Sequence, residues 1–185
     1  MRLIQRGSRG STEADGAALD FQAFVAASGP RLFRSACLLT GGDTHAAEDL
    51  VQETFGLLYR RWQRVGGLDN PVGYAQTTLV NRFVSARRKR SNSERPAGGG
   101  GLGGVADQPT RGEDVVLRVA LLEALRSLPP VDRAVLVLRF WEDLSVAETA
   151  ARLNLSDTAV RSRCSRALAR VRELLGGDFA DLARF

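Results

Sequence analysis

The sequence predicts an all-α protein made of two small helical domains joined by a flexible linker. Apolar residues recur at intervals of three and four along most of the chain, which is the spacing of amphipathic helices, and no strand-like alternation persists. Residues 91–112 are rich in glycine and hold almost no large apolar side chain, so this stretch cannot bury enough surface to order itself. It divides the 185 residues into two predicted packed units.

The N-terminal unit is predicted to span residues 19–90, after a loose polar tail at residues 1–18. A helical pattern starts at residue 19, is interrupted locally at Gly29-Pro30 and ends at Gly41-Gly42. Its apolar positions are Phe21, Phe24, Val25, Leu32, Ala36 and Leu39.

Two further helices complete this unit. Asp43 or Thr44 can cap a helix at about residues 45–65, and a Gly- and Pro-containing loop at residues 66–71 ends it. A third helix follows at about residues 72–90. Their inward-facing residues are predicted to be Leu50, Val51, Thr54, Leu57, Leu58 and Trp62, then Tyr74, Leu79, Phe83 and Val84.

The C-terminal unit is predicted to span residues 113–176, with a short tail at residues 177–185. Residues 115–128 are amphipathic, and Pro129-Pro130 stops and restarts the chain before a helix at residues 131–142. A final pair of helices is predicted at residues 146–153 and 157–175.

This final pair has the spacing of a helix-turn-helix. Ser145 and Glu148 form a capping box at the start of its first helix, Asn154 suits a left-handed turn residue, and Ser156 can cap the second helix. Three small residues are expected to let the two helices cross closely: Ala147, Ala150 and Ala151.

The second helix of the motif has two predicted faces. One is an apolar stripe of Val160, Cys164, Leu168, Val171 and Leu175. In this motif the N-terminal turns enter the major groove, so the candidates for reading base edges are Thr158, Arg161, Ser162 and Ser165. The candidates for holding phosphates are Arg163, Arg166 and Arg170.

Positive charge is concentrated in two places, although the formal net charge is only +5. Six cations against one acid lie between Asn81 and Arg95, and five arginines lie between Arg161 and Arg172 without an intervening acid. Two solvated helix faces are the alternative explanation. Two separate clusters, each on its own helical pattern, favour a polyanion binder with two contact points.

Several classes of function find no support in the sequence. Cys37 and Cys164 lie far apart in apolar patterns, and with His45 as the single histidine no zinc site can be assembled from the usual ligands. No phosphate-binding glycine motif or nucleophile motif occurs, so no enzymatic activity, cofactor or small-molecule substrate is expected. No apolar run suits a signal peptide or a membrane span, and a cytoplasmic protein is expected.

Residues 128–175 resemble the C-terminal domain of extracytoplasmic-function sigma factors, of the actinobacterial type within the sigma-70 family. The resemblance lies in Leu-Pro-Pro-Val-Asp-Arg at residues 128–133, in the helix-turn-helix, and in Arg-Ala-Leu-Ala-Arg-Val-Arg-Glu-Leu-Leu at residues 166–175. The resemblance implies binding to the promoter -35 element and to the flap of the RNA polymerase β subunit.

Residues 47–62 resemble the helix with which this family docks on the β′ clamp of core RNA polymerase. The surface candidates are Asp49, Gln52 and Glu53, together with Phe55. By periodicity alone Leu50, Val51 and Phe55 would be core residues, and at least one of them is expected to be so.

Residues 74–90 resemble the family's -10-reading helix, with Asn81 at the position of its typical asparagine. The loop at residues 66–71 corresponds to one that captures a base flipped out of the melted strand. The chain departs from the family at Tyr74 or its neighbours, where a tryptophan is common. The candidates for the -10 element are Leu68, Asn70, Tyr74, Asn81, Arg82, Arg87, Arg88, Lys89 and Arg90.

The resulting hypothesis is a sigma factor that directs core RNA polymerase to promoter DNA, and an anti-sigma protein is a further candidate partner. One alternative is a conventional helix-turn-helix regulator that binds duplex DNA without the polymerase. A second is a helical adaptor that binds proteins alone, with solvated basic faces.

Overall fold

The structure, a computed structural model, describes residues 9–92 and 112–176, with side chains placed for residues 20–88 and 115–176. Over these residues it is helical without a strand, as predicted. Most of the predicted linker and the whole C-terminal tail lie outside the described residues. The helices are α1 (Arg9–Thr40), α2 (Thr44–Tyr59), α3 (Trp62–Val65), α4 (Pro71–Asn92), α5 (Gly112–Ser127), α6 (Pro130–Leu136), a π-helical turn (Val137–Trp141), α7 (Val146–Leu153) and α8 (Asp157–Leu175).

Helix α1 begins earlier than predicted and is not interrupted, and it ends at Thr40, next to the predicted Gly41-Gly42 boundary. It begins at Arg9, within the stretch predicted to be a tail, where three alanines among residues 12–18 favour helix. It also runs unbroken through Pro30, so the predicted interruption is wrong. A proline inside a helix costs about 3 kcal/mol. Beyond it Leu32 and Leu39 are completely buried, and two such side chains contribute about 3–6 kcal/mol, which offsets that cost.

The predicted second helix is divided into α2 and α3. Asp43 caps α2 by accepting the Ala46 N–H at 3.0 Å, which selects it over Thr44 as the cap. The chain leaves the helix at Arg61, although no glycine or proline stands there. The Trp62 ring packs against Phe21 and Phe24 of α1 with centroids 5.0 and 4.9 Å apart. These aromatic contacts redirect the chain at a position where the local sequence holds no breaking signal.

In the second half of the chain the helix predicted at residues 131–142 changes its pitch. It starts with Pro130 in the first helical position, where a missing N–H costs nothing. Its last part is a π-helical turn, and the Glu142 N–H donates to the Val137 carbonyl. The wider turn brings Trp141 and Glu142 against α1.

Side chains of the two predicted units meet in a shared hydrophobic cluster. We call α1–α4 the N-terminal half and α5–α8 the C-terminal half. Leu32, Leu39, Leu79 and Phe83 from the first half form one buried cluster with Ala134, Val137 and Leu138 from the second. A separate cluster joins α5, α6 and α8 through Leu125, Leu128, Leu136, Val171 and Leu175. The halves are therefore closed on one another in this structure.

Candidate nucleic-acid interface

The helix-turn-helix formed by α7 and α8 has the local geometry that its sequence predicts. The Ser145 hydroxyl accepts the Glu148 N–H at 3.1 Å, and the Glu148 carboxylate accepts the Ser145 N–H at 2.8 Å, which completes the capping box. Asn154 is left-handed, with φ 53° and ψ 51°. Ser156 caps α8 by accepting the Ala159 N–H at 3.2 Å. These contacts fix the angle at which α8 leaves the turn.

One packing prediction for α7 is wrong. Ala150 is buried as expected, but Ala147 and Ala151 are exposed. The buried face of α7 runs instead through Thr149 and Ala150.

Helix α8 separates an apolar face from an exposed polar one. Val160, Ala167, Val171 and Leu175 are buried, and Cys164 and Leu168 are half-buried against the same clusters. Six of the seven residues predicted to contact DNA are exposed: Thr158, Arg161, Ser162, Ser165, Arg166 and Arg170. Their backbone positions put the first four on the N-terminal turns of the helix.

Two arginines of this face have acidic neighbours on their own helix. Arg161 lies 4.0 Å from Asp157, and Arg170 lies 2.7 Å from Glu173. Exposed pairs of this kind are worth about 0–1 kcal/mol, so these carboxylates hold the two guanidinium groups only weakly.

Arg163, the seventh predicted residue, is held inside the C-terminal half. Its guanidinium donates to the Asp132 carboxylate at 2.6 Å, and the Asp132 side chain is only 11% exposed. This pair ties α8 to α6 across 31 positions of sequence. Arg163 therefore orients the recognition helix, and its availability to a phosphate is limited by a partly buried partner.

The predicted -10 residues of α4 lie around a shallow cavity of about 220 Å³ between α2 and α4. Tyr74, Asn81 and Arg82 line it. Three other polar residues that were not predicted, Arg61, Thr78 and Ser85, also line the cavity. Only their helical spacing from Tyr74 and Asn81 could have indicated the residues of α4, and Arg61 comes from a separate element.

The other residues predicted for the -10 element differ in their exposure and contacts. Leu68 and Arg88 are exposed, and the Arg87 guanidinium stacks over the Phe83 ring at 5.9 Å. Lys89 and Arg90 belong to α4, but their side chains lie outside those described.

Asn70 begins α4 by a contact that the sequence analysis overlooked. Its side-chain oxygen accepts the Gly73 N–H at 2.7 Å. A Cβ at Gly73 would stand 2.7 Å from the Asn70 Nδ2 atom, so glycine makes room for this arrangement. Asn followed by Pro71 at the first helical position is the signal that could have revealed the cap.

The predicted polymerase-facing residues of α2 divide into surface and packing positions. Asp49, Gln52 and Glu53 are exposed. Phe55 is half-buried, edge-on to Phe21 and Phe24 at 6.3 Å each. Leu50 is buried, which confirms that at least one apolar residue of this stretch belongs to the core.

Glu53 and Arg82, predicted for two different partners, contact each other. The Arg82 Nε donates to the Glu53 carboxylate at 3.2 Å, and its Nη2 donates to the same oxygen. This exposed ion pair links the predicted polymerase-facing helix α2 to the predicted -10 helix α4.

Between the halves lies a polar cluster, not predicted from the sequence, in which exposed and buried side chains surround one buried carboxylate. We call it the interdomain junction, and it consists of Arg31, Ser35 and Gln76 from the N-terminal half with Trp141, Glu142 and Arg152 from the C-terminal half. Glu142 is its centre, with a side chain 2% exposed. No local pattern points to it, because its members come from α1, α4, the end of the π-helical turn and α7.

Arg133 is a second buried charge that the sequence analysis missed. Its guanidinium donates to the carbonyls of Arg126 and Leu128, which end α5, and to that of Leu39 in α1. It also lies 5.7 Å from the Phe83 ring centroid. Burial lowers the pKa of Arg133 to about 10, and Arg87 and Arg126 act in the same direction, so it stays charged at neutral pH.

The cysteines fit the role of small hydrophobes. Cys37 is buried and Cys164 is half-buried, and both are free thiols. Burial raises the pKa of Cys37 to about 11 and also raises that of Cys164, so both thiols are protonated at neutral pH. Within the described ranges no group of His, Cys, Asp and Glu side chains could hold a metal ion. Nor is any described helix long and apolar enough to cross a membrane.

A helical fold with exposed arginines on α4 and α8, the latter in a helix-turn-helix, is typical of a DNA-binding protein. Residues 24–93 match the family Sigma-70 region 2, and residues 118–171 match Sigma-70, region 4. The chain belongs to the sigma-70 family of RNA polymerase sigma factors, which bind core RNA polymerase and promoter DNA. The family matches do not favour a conventional helix-turn-helix regulator.

Relatives and solved structures agree with this assignment. RNA polymerase sigma-E factor of Streptomyces avermitilis is 35% identical over 162 residues, covering 88% of each chain. The protein of the same name in Streptomyces coelicolor is 34% identical over 160 residues, covering 86% of this chain and 88% of its own. The sigma factor RpoE of Bartonella quintana, solved in complex with the anti-sigma factor NepR, is 28% identical with a TM-score of 0.66, covering 86% of this chain and 98% of that one.

Proposed function

We propose that this sigma factor reads the -35 element with the N-terminal turns of α8 and the -10 element with α4. The observation that carries the proposal is the exposed face of Thr158, Arg161, Ser162 and Ser165 directly after a fully capped turn. Such a turn presents the start of the second helix to the major groove, where arginine and hydroxyl side chains can read base edges. Arg166 and Arg170, further along, hold phosphates.

On α4 the cavity beside Asn81 is the proposed point of contact with the -10 element. Tyr74 supplies a flat ring for stacking, and Arg61 and Arg82 supply positive charge at the same cavity. An aromatic surface with adjacent arginines is how proteins hold an unstacked base. Leu68 and Asn70 precede this helix in the loop that the family resemblance assigns to base capture.

For the polymerase we propose that Asp49, Gln52 and Glu53 dock on the β′ clamp and that the C-terminal half binds the β flap. The exposed acidic face of α2 supports the first assignment. Because the polymerase acts there, we assign the protein to the cytoplasm. Twenty residue-to-residue steps from Asn92 to Gly112 reach at most about 70 Å when extended, so the halves can separate on the polymerase surface.

We also propose control by an anti-sigma protein. The similar Bartonella quintana sigma factor is solved with such a partner. The support for this chain is the similarity of fold over most of its length, and the partner's identity is left to experiment.

In vitro transcription with core polymerase tests the proposed function. Full-length protein is added to core enzyme and genomic fragments, and the 5′ ends of the transcripts are sequenced. We expect discrete start sites that share two upstream elements. Arg161→Ala should lower the yield about tenfold and relax the preference at one -35 position, since a good base contact is worth about 1–3 kcal/mol. Arg34→Ala, an exposed arginine on α1, is the control and should transcribe normally.

Salt dependence separates base reading from phosphate holding. Each phosphate contact contributes about −0.9 to the log–log slope of affinity against salt. Arg166→Ala should therefore reduce the magnitude of the slope for promoter binding by about 1 and weaken all sequences equally. An unchanged slope would remove the phosphate assignment, and absence of any specific start site would overturn the proposed function itself.

A further inference from the structure

An ion pair between Asp132 of α6 and Arg163 of α8 lies at the edge of the DNA-reading helix. The Arg163 Nη1 donates to the Asp132 carboxylate at 2.6 Å, and the two side chains are 33% and 11% exposed. The pairs of Arg161 and Arg170 instead join side chains that are all more than half exposed. The carboxylate that holds Arg163 is therefore largely withdrawn from water, unlike those beside Arg161 and Arg170.

Spacing places Arg163 in a row with the two arginines proposed to hold phosphates. Positions 163, 166 and 170 are three and four residues apart, so their side chains share one side of α8. Arg166 and Arg170 are exposed along this side. A free Arg163 would extend the row by one turn toward the base-reading end of the helix.

Burial decides which partner Arg163 keeps. An exposed ion pair is screened by water and salt and contributes little, whereas taking one member from a largely buried pair leaves an uncompensated charge. A phosphate that took Arg163 would leave the Asp132 carboxylate without this cation, at 11% exposure and close to a DNA strand of the same sign. The exchange of Asp132 for a phosphate is therefore unfavourable.

We propose that Asp132 limits the affinity of this factor for DNA by keeping Arg163 away from the phosphate backbone. The inference rests on the proposed function, in which α8 reads the -35 element. Arg166 and Arg170 then supply the phosphate contacts on this side of α8. Because a phosphate contact strengthens binding to every sequence alike, the pair shortens the time that the factor spends on DNA without a promoter.

Binding of the full-length chain to a labelled duplex of random sequence tests the proposal, with fluorescence anisotropy read over a range of salt concentrations. Asp132→Asn keeps the size of the side chain and an acceptor but removes the charge. We expect binding to tighten roughly five- to tenfold at about 0.1 M salt, and the log–log slope of affinity against salt to steepen by about 1, as for one added phosphate contact. A purely structural role of Asp132 predicts weaker binding instead.

Two further variants identify the released group. Glu123→Gln removes the same charge at an exposed position on α5 and should leave the slope unchanged. Arg163→Gln keeps a donor toward Asp132 and should also leave the slope unchanged in the wild-type background. In the Asp132→Asn background the same change should abolish the gain, and this non-additivity assigns the new contact to Arg163.

Far-UV circular dichroism accompanies each titration and shows that the variants keep their helicity. Unchanged or weaker binding by a folded Asp132→Asn variant would overturn the proposal. A slope reduced by about 1 in Arg163→Gln alone would overturn it as well, because Arg163 would then already hold a phosphate in the wild type. Neither result would touch the proposed function, which fails only if transcription with core polymerase shows no specific start site.

Discussion

The interdomain junction and the helix-turn-helix are both held by polar contacts, but the contacts have opposite ranges. In the helix-turn-helix Ser145 bonds to Glu148 and Ser156 bonds to Ala159, three positions apart in each case. In the junction Arg31 reaches Glu142 across 111 positions, and outside it Arg133 also joins the halves by reaching Leu39 across 94. The local contacts are exposed, whereas these two long-range contacts are part-buried and buried, respectively.

This difference decides what each region does. Local contacts set the turn between α7 and α8, so the shape of this turn does not depend on how the halves pack. Long-range contacts set only how the halves sit against one another, so they can be lost without unfolding the reader. Variants that remove long-range contacts should therefore lower the stability strongly and change the local geometry little. Variants in the turn should lower the stability less and change the local geometry more.

The largest effect is expected from Arg133→Ala. The change removes the donor to three backbone carbonyls at Leu39, Arg126 and Leu128, and hydrogen bonds to a charged group contribute about 1.5–3 kcal/mol each. We expect the free energy of unfolding to fall by about 3–5 kcal/mol, measured by urea denaturation of the full chain. Arg34→Ala should change it by less than about 0.5 kcal/mol.

A loss below about 1 kcal/mol for Arg133→Ala would contradict the assignment of this guanidinium to the α5 carbonyls and to α1. The long-range contacts would then be no stronger than the local ones, and the two regions would not differ in what their contacts contribute to stability.

The sequence predicts the local contacts of this protein and not the long-range ones. Ser145, Glu148, Asn154 and Ser156 were recognised because a cap or a left-handed turn residue carries its signal within a few positions. The helices themselves were predicted from apolar periodicity, with errors where tertiary packing decided: α1 continues through Pro30, and α2 ends at Tyr59. The hydrophobic cluster that the two predicted units share was not predicted.

Arg133, Glu142 and Gln76 were not predicted as buried groups. A charged residue in an apolar stretch has the same local pattern whether it reaches solvent or a distant partner, and the partner lies tens of residues away. The candidate DNA contacts of α8 were predicted because a helix-turn-helix has a known exposed face. The pairing of Arg163 with Asp132 and of Arg82 with Glu53 depends on which helices pack together, which periodicity does not encode.

An intermediate effect is expected at the turn residue Asn154. A left-handed backbone costs an ordinary L-residue about 1–2 kcal/mol, and glycine adopts it freely. Asn154→Ala should therefore lower the free energy of unfolding by about 1 kcal/mol, and Asn154→Gly should change it by a few tenths at most. Thermal and urea unfolding of both variants measure the difference. Equal losses for alanine and glycine would mean that the Asn154 side chain, and not its backbone conformation, stabilises the turn.

The smallest effect is expected from the charge of Glu148, and pH reveals it. Hydrogen bonds from the side chain and backbone of Ser145 hold the pKa of Glu148 below the ordinary glutamate value of about 4.3, with Arg152 acting in the same direction. The unfolded chain therefore takes up this proton first as the pH falls. The stabilisation is fully present above about pH 4.3 and is lost as the pH drops through the lower pKa of the folded state.

Glu148→Gln keeps an acceptor for the Ser145 N–H but removes the titration. The difference in stability between wild type and this variant, measured by urea unfolding at several pH values, should be constant near neutrality and shrink toward zero in acid. Ser145→Ala removes the side-chain hydrogen bond that is the largest cause of the lowered Glu148 pKa, and it should flatten the same pH dependence. A difference that did not shrink below about pH 4 would show that the capping box acts without the ionised carboxylate, and the helix-turn-helix would then owe its geometry to the hydroxyl caps and Asn154 alone.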